Sequence, residues 1–416
     1  MTKKINDSSV NKILKTFVDN LTAIEVYFDK FGNLAENEDE NGFKKNQTFV
    51  QNCLEEVGID YTFSSKGKSE NDELNIPREV ILSLAKKLDE QSPISVKNFE
   101  ILANGSFLML NNYFEYLLAD LLSYYYSKFK KSLGGKEFKL VLNELEEYEN
   151  ISDLTDSLIT KEVESMIIDM SFENLKDHFN KSLKIDLNEK IIDWNFINEC
   201  RERRHILVHN SCIVNKKYIS RTKNPYNLKI GDKVHISREY FLKAWQEFRL
   251  AGMLLSFDCW GQWDKEKIDF GIESLVDESF ESLKRNELKF CYNLTVYGDK
   301  IEARNEKQEN SLLSLRFNKA IALKKMGKKN DLDKLLKNIK VGTASPTFKL
   351  AHAILSEKED EIILSLIKKS TKINEINLTI YNEWPIFEFV RKNDKLNNDV
   401  LNYFNEDVST SKTTSP

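Results

Sequence analysis

Residues 201–218 read Arg-Glu-Arg-Arg-His-Ile-Leu-Val-His-Asn-Ser-Cys-Ile-Val-Asn-Lys-Lys-Tyr, and they continue a segment with helical spacing of apolar residues. On a helix projected at about 100° per residue, the apolar residues of 191–209 share one broad side that also contains Arg204. A charge on an apolar side is costly unless a carboxylate, a phosphate or another polar group pairs with it. Arg204 is therefore a candidate site residue. The apolar residues on this side are Trp194, Ile197, Cys200, Leu207 and Val208.

A histidine five residues after this arginine is the second candidate. His209 precedes Asn210 and Ser211, which favour the end of a helix by capping and turn formation. Five helical steps turn the chain by about 140°, so Arg204 and His209 point in different directions on a straight helix. The two side chains can converge if the helix ends there, or if a second copy of the same helix supplies the complement.

This arrangement resembles the catalytic motif of HEPN-domain ribonucleases. In that family an arginine is usually followed by asparagine, aspartate or histidine, and a histidine comes after four to six intervening residues. Here His205 follows Arg204, four residues separate Arg204 from His209, and Asn210 follows that histidine.

The continuation of the motif resembles one branch of the same family. In that branch the chain runs on into a short extended segment that holds a tyrosine, which corresponds here to 213–218 and Tyr218. The branch commonly has a glycine at the position of Cys212. This departure affects the geometry of the turn more than the chemistry.

The resemblance implies metal-independent cleavage of RNA, in which an adjacent 2′-hydroxyl attacks the phosphodiester and leaves a 2′,3′-cyclic phosphate and a 5′-hydroxyl. His209 would move protons, since a histidine has a pKa of about 6.5. Arg204 would stabilise the charge that grows on phosphorus, because its planar fork binds phosphate oxygens and stays charged. In HEPN ribonucleases two protomers form one composite cleft, so the resemblance implies a homodimer and no cofactor.

Further residues receive supporting roles from the same resemblance. His205 would assist the reaction, Asn210 would support the end of the motif helix, and Tyr218 would be a contact or a support. HEPN domains also have a long early helix with an acidic residue that packs against the motif helix. Glu115 corresponds to that residue and would orient Arg204 or His209.

Positive charge is concentrated around the motif, although the net charge of the whole chain is −5. Nine basic residues against two acidic residues between 201 and 233 are typical of local phosphate recognition, or of a solvated loop. Within this basic island, Arg201, Arg203, Lys216 and Lys217 are the predicted RNA-binding residues. The nine are Arg201, Arg203, Arg204, Lys216, Lys217, Arg221, Lys223, Lys229 and Lys233.

The 416 residues are 41% hydrophobic and 31% charged, which is typical of a globular protein. No uncharged apolar run reaches the roughly 18 residues of a membrane span, and the start lacks the apolar stretch of a secretion signal. Five scattered cysteines form no close pair, which favours a reduced cytoplasmic location. Six prolines and fourteen glycines predict an all-α protein.

The predicted architecture is a central HEPN-like helical bundle at 96–262, with a small β-hairpin inserted at 225–237. A helical extension at 1–95 precedes the bundle, and a repeat-like helical array at 263–408 follows it before a polar tail at 409–416. The array would bind a protein partner or regulator, or brace the dimer. Since prokaryotic HEPN nucleases often act as toxins or antiviral effectors, the resemblance implies a regulated, growth-arresting nuclease.

Two alternatives remain open at the level of sequence. In a non-catalytic helical scaffold that binds RNA or protein, Arg204 would be an ion-pair residue and His209 a histidine favoured by the helix dipole. A zinc site is the other alternative, because His205 and His209 have a metal-binding spacing and Cys200 and Cys212 lie nearby. The absence of a glutamate after His205 argues against a zinc-protease motif, so no metal is predicted.

Overall fold

The computed structural model describes residues 9–56, 77–91, 97–135, 137–138, 140, 148–265 and 268–411. Within these ranges the regular secondary structure is helical and contains no strand, so the predicted all-α class is confirmed there. None of the helices in these ranges is both long enough and apolar enough to span a membrane.

The α-helices of the described residues are numbered in chain order. Their bounds are α1 Val10–Glu56, α2 Arg78–Gln91, α3 Asn98–Lys128, α4 Ile151–Asp169, α5 Phe172–Asp177, α6 Trp194–His209, α7 Lys216–Thr222, α8 Arg238–Trp263, α9 Ile268–Lys284, α10 Leu288–Gly298, α11 Glu306–Lys325, α12 Lys329–Asn338, α13 Pro346–Leu355, α14 Asp360–Lys372, α15 Leu378–Glu383, α16 Glu388–Arg391 and α17 Asp394–Ser411.

Side-chain caps explain where several of these helices begin. Asn150, Asn215 and Asn305 each accept a hydrogen bond from a backbone N–H in the first turn of the helix that follows. Such a cap satisfies a backbone donor that has no partner inside the helix. Ser237 likewise accepts from the Tyr240 N–H at 3.2 Å at the start of α8.

The described residues form two compact units. Unit 1 takes its residues from 1–15, 117–194 and 249–416, whereas unit 2 takes them from 16–116 and 195–248. The domain limits drawn from the sequence at residues 95, 262 and 408 stay predictions.

Unit 1 includes the successive helices α9 to α17. α9, α10 and α11 pack on one another, α13 packs on α14, and α14 contacts α17. Their apolar sides share one core, which includes the fully buried Ile321, Leu350 and Ile367. This sequential packing buries side chains that no single helix could cover by itself.

Unit 2 has an aromatic core between α1, α3 and α8. Phe28 stacks on Phe241 with ring centroids 4.0 Å apart, and Phe17 meets Phe114 at 6.3 Å. Polar contacts fix the same helices, because Asp39 accepts hydrogen bonds from the backbone N–H groups of Asn98 and Phe99 at 2.7 and 2.9 Å. An aspartate at the start of α3 also favours the helix dipole.

Two helices include segments that are rich in polar residues. α1 continues beyond Phe31 to Glu56, and α9 occupies Ile268–Lys284 near the start of the predicted array at 263–408. Tertiary contacts accompany both, because α9 buries Ile272, Leu275 and Leu283, and Asp39 in the polar part of α1 bonds to the start of α3. The polar tail beyond Ser411 lies outside the described residues.

The predicted β-hairpin at 225–237 is not confirmed. Gly231 turns the chain there with a φ of 95°, but the extended backbone after the turn pairs with the segment that follows α6. One antiparallel bridge joins Ile213 to Lys233, and hydrogen bonds of 2.9 Å run from Val214 N–H to Asp232 O and from Val234 N–H to Cys212 O. The turn was therefore visible in the sequence, whereas the pairing partner was 20 residues away.

Candidate functional site

Helix α6 ends at the predicted position, directly after His209. The Cys212 N–H donates to the Ile206 carbonyl at 3.1 Å, and Ser211 and Cys212 have positive φ values of 50° and 65°. This left-handed ending satisfies a helix carbonyl that has no partner inside the helix. Asn210 secures the turn, because its Nδ2 donates to the Ile213 carbonyl at 2.6 Å.

A buried polar network lies behind α6. The fully buried Glu199 carboxylate pairs with Arg203 Nε at 2.7 Å and accepts hydrogen bonds from the hydroxyls of Tyr218 and Tyr240. Arg203 also donates to the His235 carbonyl at 3.2 Å, and its guanidinium lies 4.0 Å from the centroid of the Tyr240 ring. The network therefore ties α6 to α7, to α8 and to the segment before α8.

Burial and neighbouring groups act in opposite directions on the pKa of Arg203. Desolvation alone would lower the pKa of Arg203, but Tyr240 and Glu199 outweigh it and raise that pKa. Burial is also the main reason that the pKa values of Tyr218 and Tyr240 are raised. Arg203 therefore stays charged and Tyr218 and Tyr240 stay neutral near pH 7, which suits a structural network.

Arg204 lies on a different side of α6 and is partly accessible. Its side chain is 33% exposed, with Nη2 3.8 Å from Glu115 Oε2 and 3.4 Å from Asn112 Oδ1. Its Nε is buried and has no hydrogen-bond partner among the described residues. Arg201 makes the shorter ion pair with Glu115, at 3.2 Å from Oε1, and burial lowers the pKa of Arg201.

The two motif histidines lie beside each other at the end of α6. The ring centroids of His205 and His209 are 4.8 Å apart, and His209 is exposed. Desolvation and then the positive charge of Lys217 lower the pKa of His205, whereas Glu202 acts in the opposite direction. His205 is therefore a neutral imidazole at pH 7, able to accept a proton or a hydrogen bond.

Helix α7 presents the predicted lysines and hides the predicted tyrosine. Lys216 and Lys217 are exposed in its first turn, where Asn215 is the cap. Tyr218 belongs to this helix, not to an extended segment, and only 1% of its surface is exposed. Of the two roles expected for Tyr218, its position permits support and not contact with a substrate.

The structure separates the arginines that the sequence grouped together. Arg203 was expected to bind RNA, but it is 6% exposed and its guanidinium is held by Glu199, so the expectation does not fit its position. The buried side of α6 is rotated by roughly a quarter turn from the apolar side projected from the sequence. The reason is that Glu199 and Arg203 neutralise each other inside the protein, while Val208 at the helix end is 49% exposed.

The residues of the zinc alternative do not converge. Cys200 is fully buried on the inner side of α6, where its Sγ lies 3.2 Å from the Tyr240 hydroxyl, and burial raises its pKa well above the usual value. His209 is exposed at the end of the helix. Among the described residues, no group of three or more histidine, cysteine or acidic side chains is arranged to hold a metal ion.

Three residues of this region are not among those predicted from the sequence. Glu199 precedes Arg203 by four residues, which is the spacing of a helical ion pair and could have indicated it. Asn112 and Tyr240 gave no such signal, because they meet α6 only through the tertiary fold. Comparison with protein-family models, curated proteins and solved structures finds no match to this chain.

Proposed function

We propose that this protein is a metal-independent endoribonuclease of the HEPN type that works as a homodimer. The observation that carries the proposal is the position of Arg204, which is one-third exposed at a helix end that also carries the neighbouring rings of His205 and His209. Asn112 and Glu115 hold the guanidinium at distances of 3.4 and 3.8 Å. These contacts are long enough for a phosphate to replace them.

The proposed reaction needs no redox step and no external cofactor. The 2′-hydroxyl oxygen attacks phosphorus, its proton goes to a neutral imidazole, and the bond to the 5′-oxygen breaks as a protonated imidazole supplies that oxygen with a proton. Arg204 stabilises the phosphorane, and His209 is the principal proton carrier. His205 assists because its pKa is lowered, and Lys216 and Lys217 attract the RNA backbone.

The divergence of Arg204 and His209 on α6 favours a composite site formed by two copies. Arg201 and Arg204 join α6 to α3 through Glu115 and Asn112. Val208 of α6 and Met109, Ile101 and Tyr116 of α3 are exposed apolar or aromatic side chains. In the proposed dimer a second copy would cover such side chains.

The test is cleavage of end-labelled total RNA in EDTA. Wild type should yield 2′,3′-cyclic phosphate and 5′-hydroxyl ends, whereas Arg204→Ala and His209→Ala should each lose at least about 100-fold in rate. Arg316→Ala and His235→Ala are matched controls, because both side chains are exposed and lie outside the proposed site. Equal cutting by wild type and His209→Ala would contradict the proposed mechanism.

A non-catalytic scaffold is the second candidate, because the ion pair between Arg204 and Glu115 is also what a structural arginine would make. In that case RNA or a protein partner would bind without cleavage, and expression would not arrest growth. For the nuclease we propose a toxin or antiviral effector whose regulator binds the helices after α9. Growth arrest on expression that disappears in Arg204→Ala would favour the nuclease.

A further inference from the structure

The loop after α7 carries an exposed aromatic ring among exposed lysines. Tyr226 is 42% exposed, and Lys223 and Lys229 flank it at the surface. Proteins that bind single-stranded nucleic acids combine these two features, since the ring stacks on a base and the ammonium groups contact phosphates. The Arg204–His209 chemistry uses none of these three residues.

A buried cation lies against the Tyr226 ring. The Arg203 guanidinium carbon is 5.2 Å from the ring centroid, and Arg203 is itself 6% exposed and fixed by Glu199. The ring of Tyr240 approaches Tyr226 edge-on at 6.3 Å. These contacts restrict the Tyr226 ring before any ligand arrives, so stacking on it costs less conformational entropy.

The loop backbone is fixed as well. The Asn224 side chain accepts from the Leu228 N–H at 2.8 Å and donates to the Leu228 carbonyl at 2.9 Å. The Lys229 N–H donates to Asp232 Oδ2 at 2.7 Å. The turns need left-handed backbone, which asparagine and glycine tolerate better than other residues. The residues with positive φ are Lys223, Asn224, Asn227 and Gly231.

We propose that Tyr226 is a stacking platform for one base of a single-stranded RNA, and that Lys223 and Lys229 bind the adjacent phosphates. The platform accepts any base, because every base has a π-face. Duplex RNA is a poor ligand, since its bases are stacked within the helix and cannot reach the ring. The choice of RNA rests on the proposed nuclease function, whereas the platform rests on the geometry of the loop.

Binding can be measured apart from cleavage with 2′-O-methyl RNA, which lacks the attacking hydroxyl. The probe is a fluorescein-labelled single strand of about 12 nucleotides, and fluorescence anisotropy gives its Kd with the full-length protein. We expect Tyr226→Ala to weaken binding by about 5- to 150-fold and Tyr226→Phe to retain it, because stacking needs the ring and not the hydroxyl.

The contribution of Lys223 and Lys229 is measured by the salt dependence of binding. For a single strand, each phosphate contact contributes about 0.7 to the steepness with which log K falls against log salt concentration. Loss of both contacts in Lys223→Gln/Lys229→Gln should therefore reduce the slope by about 1.4. Tyr27→Ala is the matched control, because Tyr27 is an exposed tyrosine of α1 in the same unit. Its Kd should equal that of wild type.

Three results would overturn the platform. They are wild-type binding by Tyr226→Ala, equal losses in Tyr226→Ala and Tyr226→Phe, and tighter binding of the duplex than of the single strand. Tighter binding of single-stranded DNA of the same sequence would overturn the choice of RNA. The nuclease and the platform fail separately. If RNA is cleaved but Tyr226→Ala binds the probe as tightly as wild type does, the nuclease stands and the platform is wrong. If Tyr226→Ala weakens binding but RNA is not cleaved, the platform stands and the nuclease is wrong.

Discussion

The buried carboxylate of Glu199 offers the sharpest test of how unit 2 is held together. Glu199→Gln keeps the shape of the side chain and removes its charge. The Arg203 cation, whose Nε lies 2.7 Å from Glu199 Oε1, then stays buried without its anion. The two tyrosine hydroxyls lose less, because the glutamine oxygen still accepts from one of them and the amide N–H can donate to the oxygen of the other.

The expected loss of free energy of unfolding follows from the Arg203 charge, which stays buried without its partner. Removing one partner of a buried ion pair costs about 3–5 kcal/mol, because the other charge remains desolvated. The double variant Glu199→Gln/Arg203→Met removes the cation as well, and it should recover about 2 kcal/mol of the free energy of unfolding. The remaining loss comes from the hydrogen bond to His235 and from the aromatic contacts of the guanidinium.

Native-state hydrogen exchange with mass spectrometry measures this cost locally. The slowest amides of peptides from 195–209 and 216–222 report the free energy of opening of α6 and α7. Glu202→Gln is the control, because Glu202 pairs at 3.0 Å with the half-exposed Arg221 and should cost less than about 1 kcal/mol. A loss below about 1 kcal/mol for Glu199→Gln, or no recovery in the double variant, would refute the reasoning.

Three further perturbations test other parts of the structure. Lys217→Gln removes a positive charge and should raise the lowered pKa of His205, which an NMR titration of the histidine ring would detect. Because the folded-state pKa of His205 is lowered, its contribution to the free energy of unfolding is present above the unfolded pKa and is lost as pH falls through the folded pKa. Val208→Asp should weaken self-association in sedimentation velocity at least about tenfold, whereas the exposed Ile362→Asp should not. Burial raises the pKa of Asp258 from 3.8 to about 7. Its contribution to the free energy of unfolding is therefore full below pH 3.8 and is lost as pH rises through about 7. The free energies of unfolding measured in urea at about pH 5 and at about pH 8 should differ less in Asp258→Asn than in wild type.

The helical class and the end of α6 were predictable because their signals are local. The composition favoured helices throughout, and Asn210 and Ser211 marked the helix end that the structure places after His209. The cap at Ser237 is a similar local feature, since it depends on a few adjacent residues. Local signals of this kind need no knowledge of the tertiary fold.

The buried side of α6 could not be predicted from hydrophobicity. A projection by residue type puts Glu199 and Arg203 at the surface and Val208 inside, whereas the structure does the reverse. A buried ion pair is invisible to such a projection, because each charge is unfavourable inside until its partner and the tyrosines are in place. The antiparallel bridge between Ile213 and Lys233 was not predicted for a related reason, since its two residues come from segments that are distant in the sequence.

The neighbouring arginines of this motif also show why a count of charges overestimates the cations available to a ligand. Arg203 is inside the protein, and Arg201 takes the closer oxygen of Glu115 at 3.2 Å, which leaves Arg204 at 3.8 Å from the other oxygen. One carboxylate shared by two guanidinium groups cannot neutralise both of them. The positive charge of Arg204 is therefore less compensated than that of an arginine with a carboxylate of its own, and in the proposed nuclease its weak contacts would be exchanged for stronger bonds to a phosphate. In the proposed nuclease, Arg201 would support the site because it occupies the oxygen of Glu115 that would otherwise hold Arg204, and its predicted contact with RNA stays a prediction.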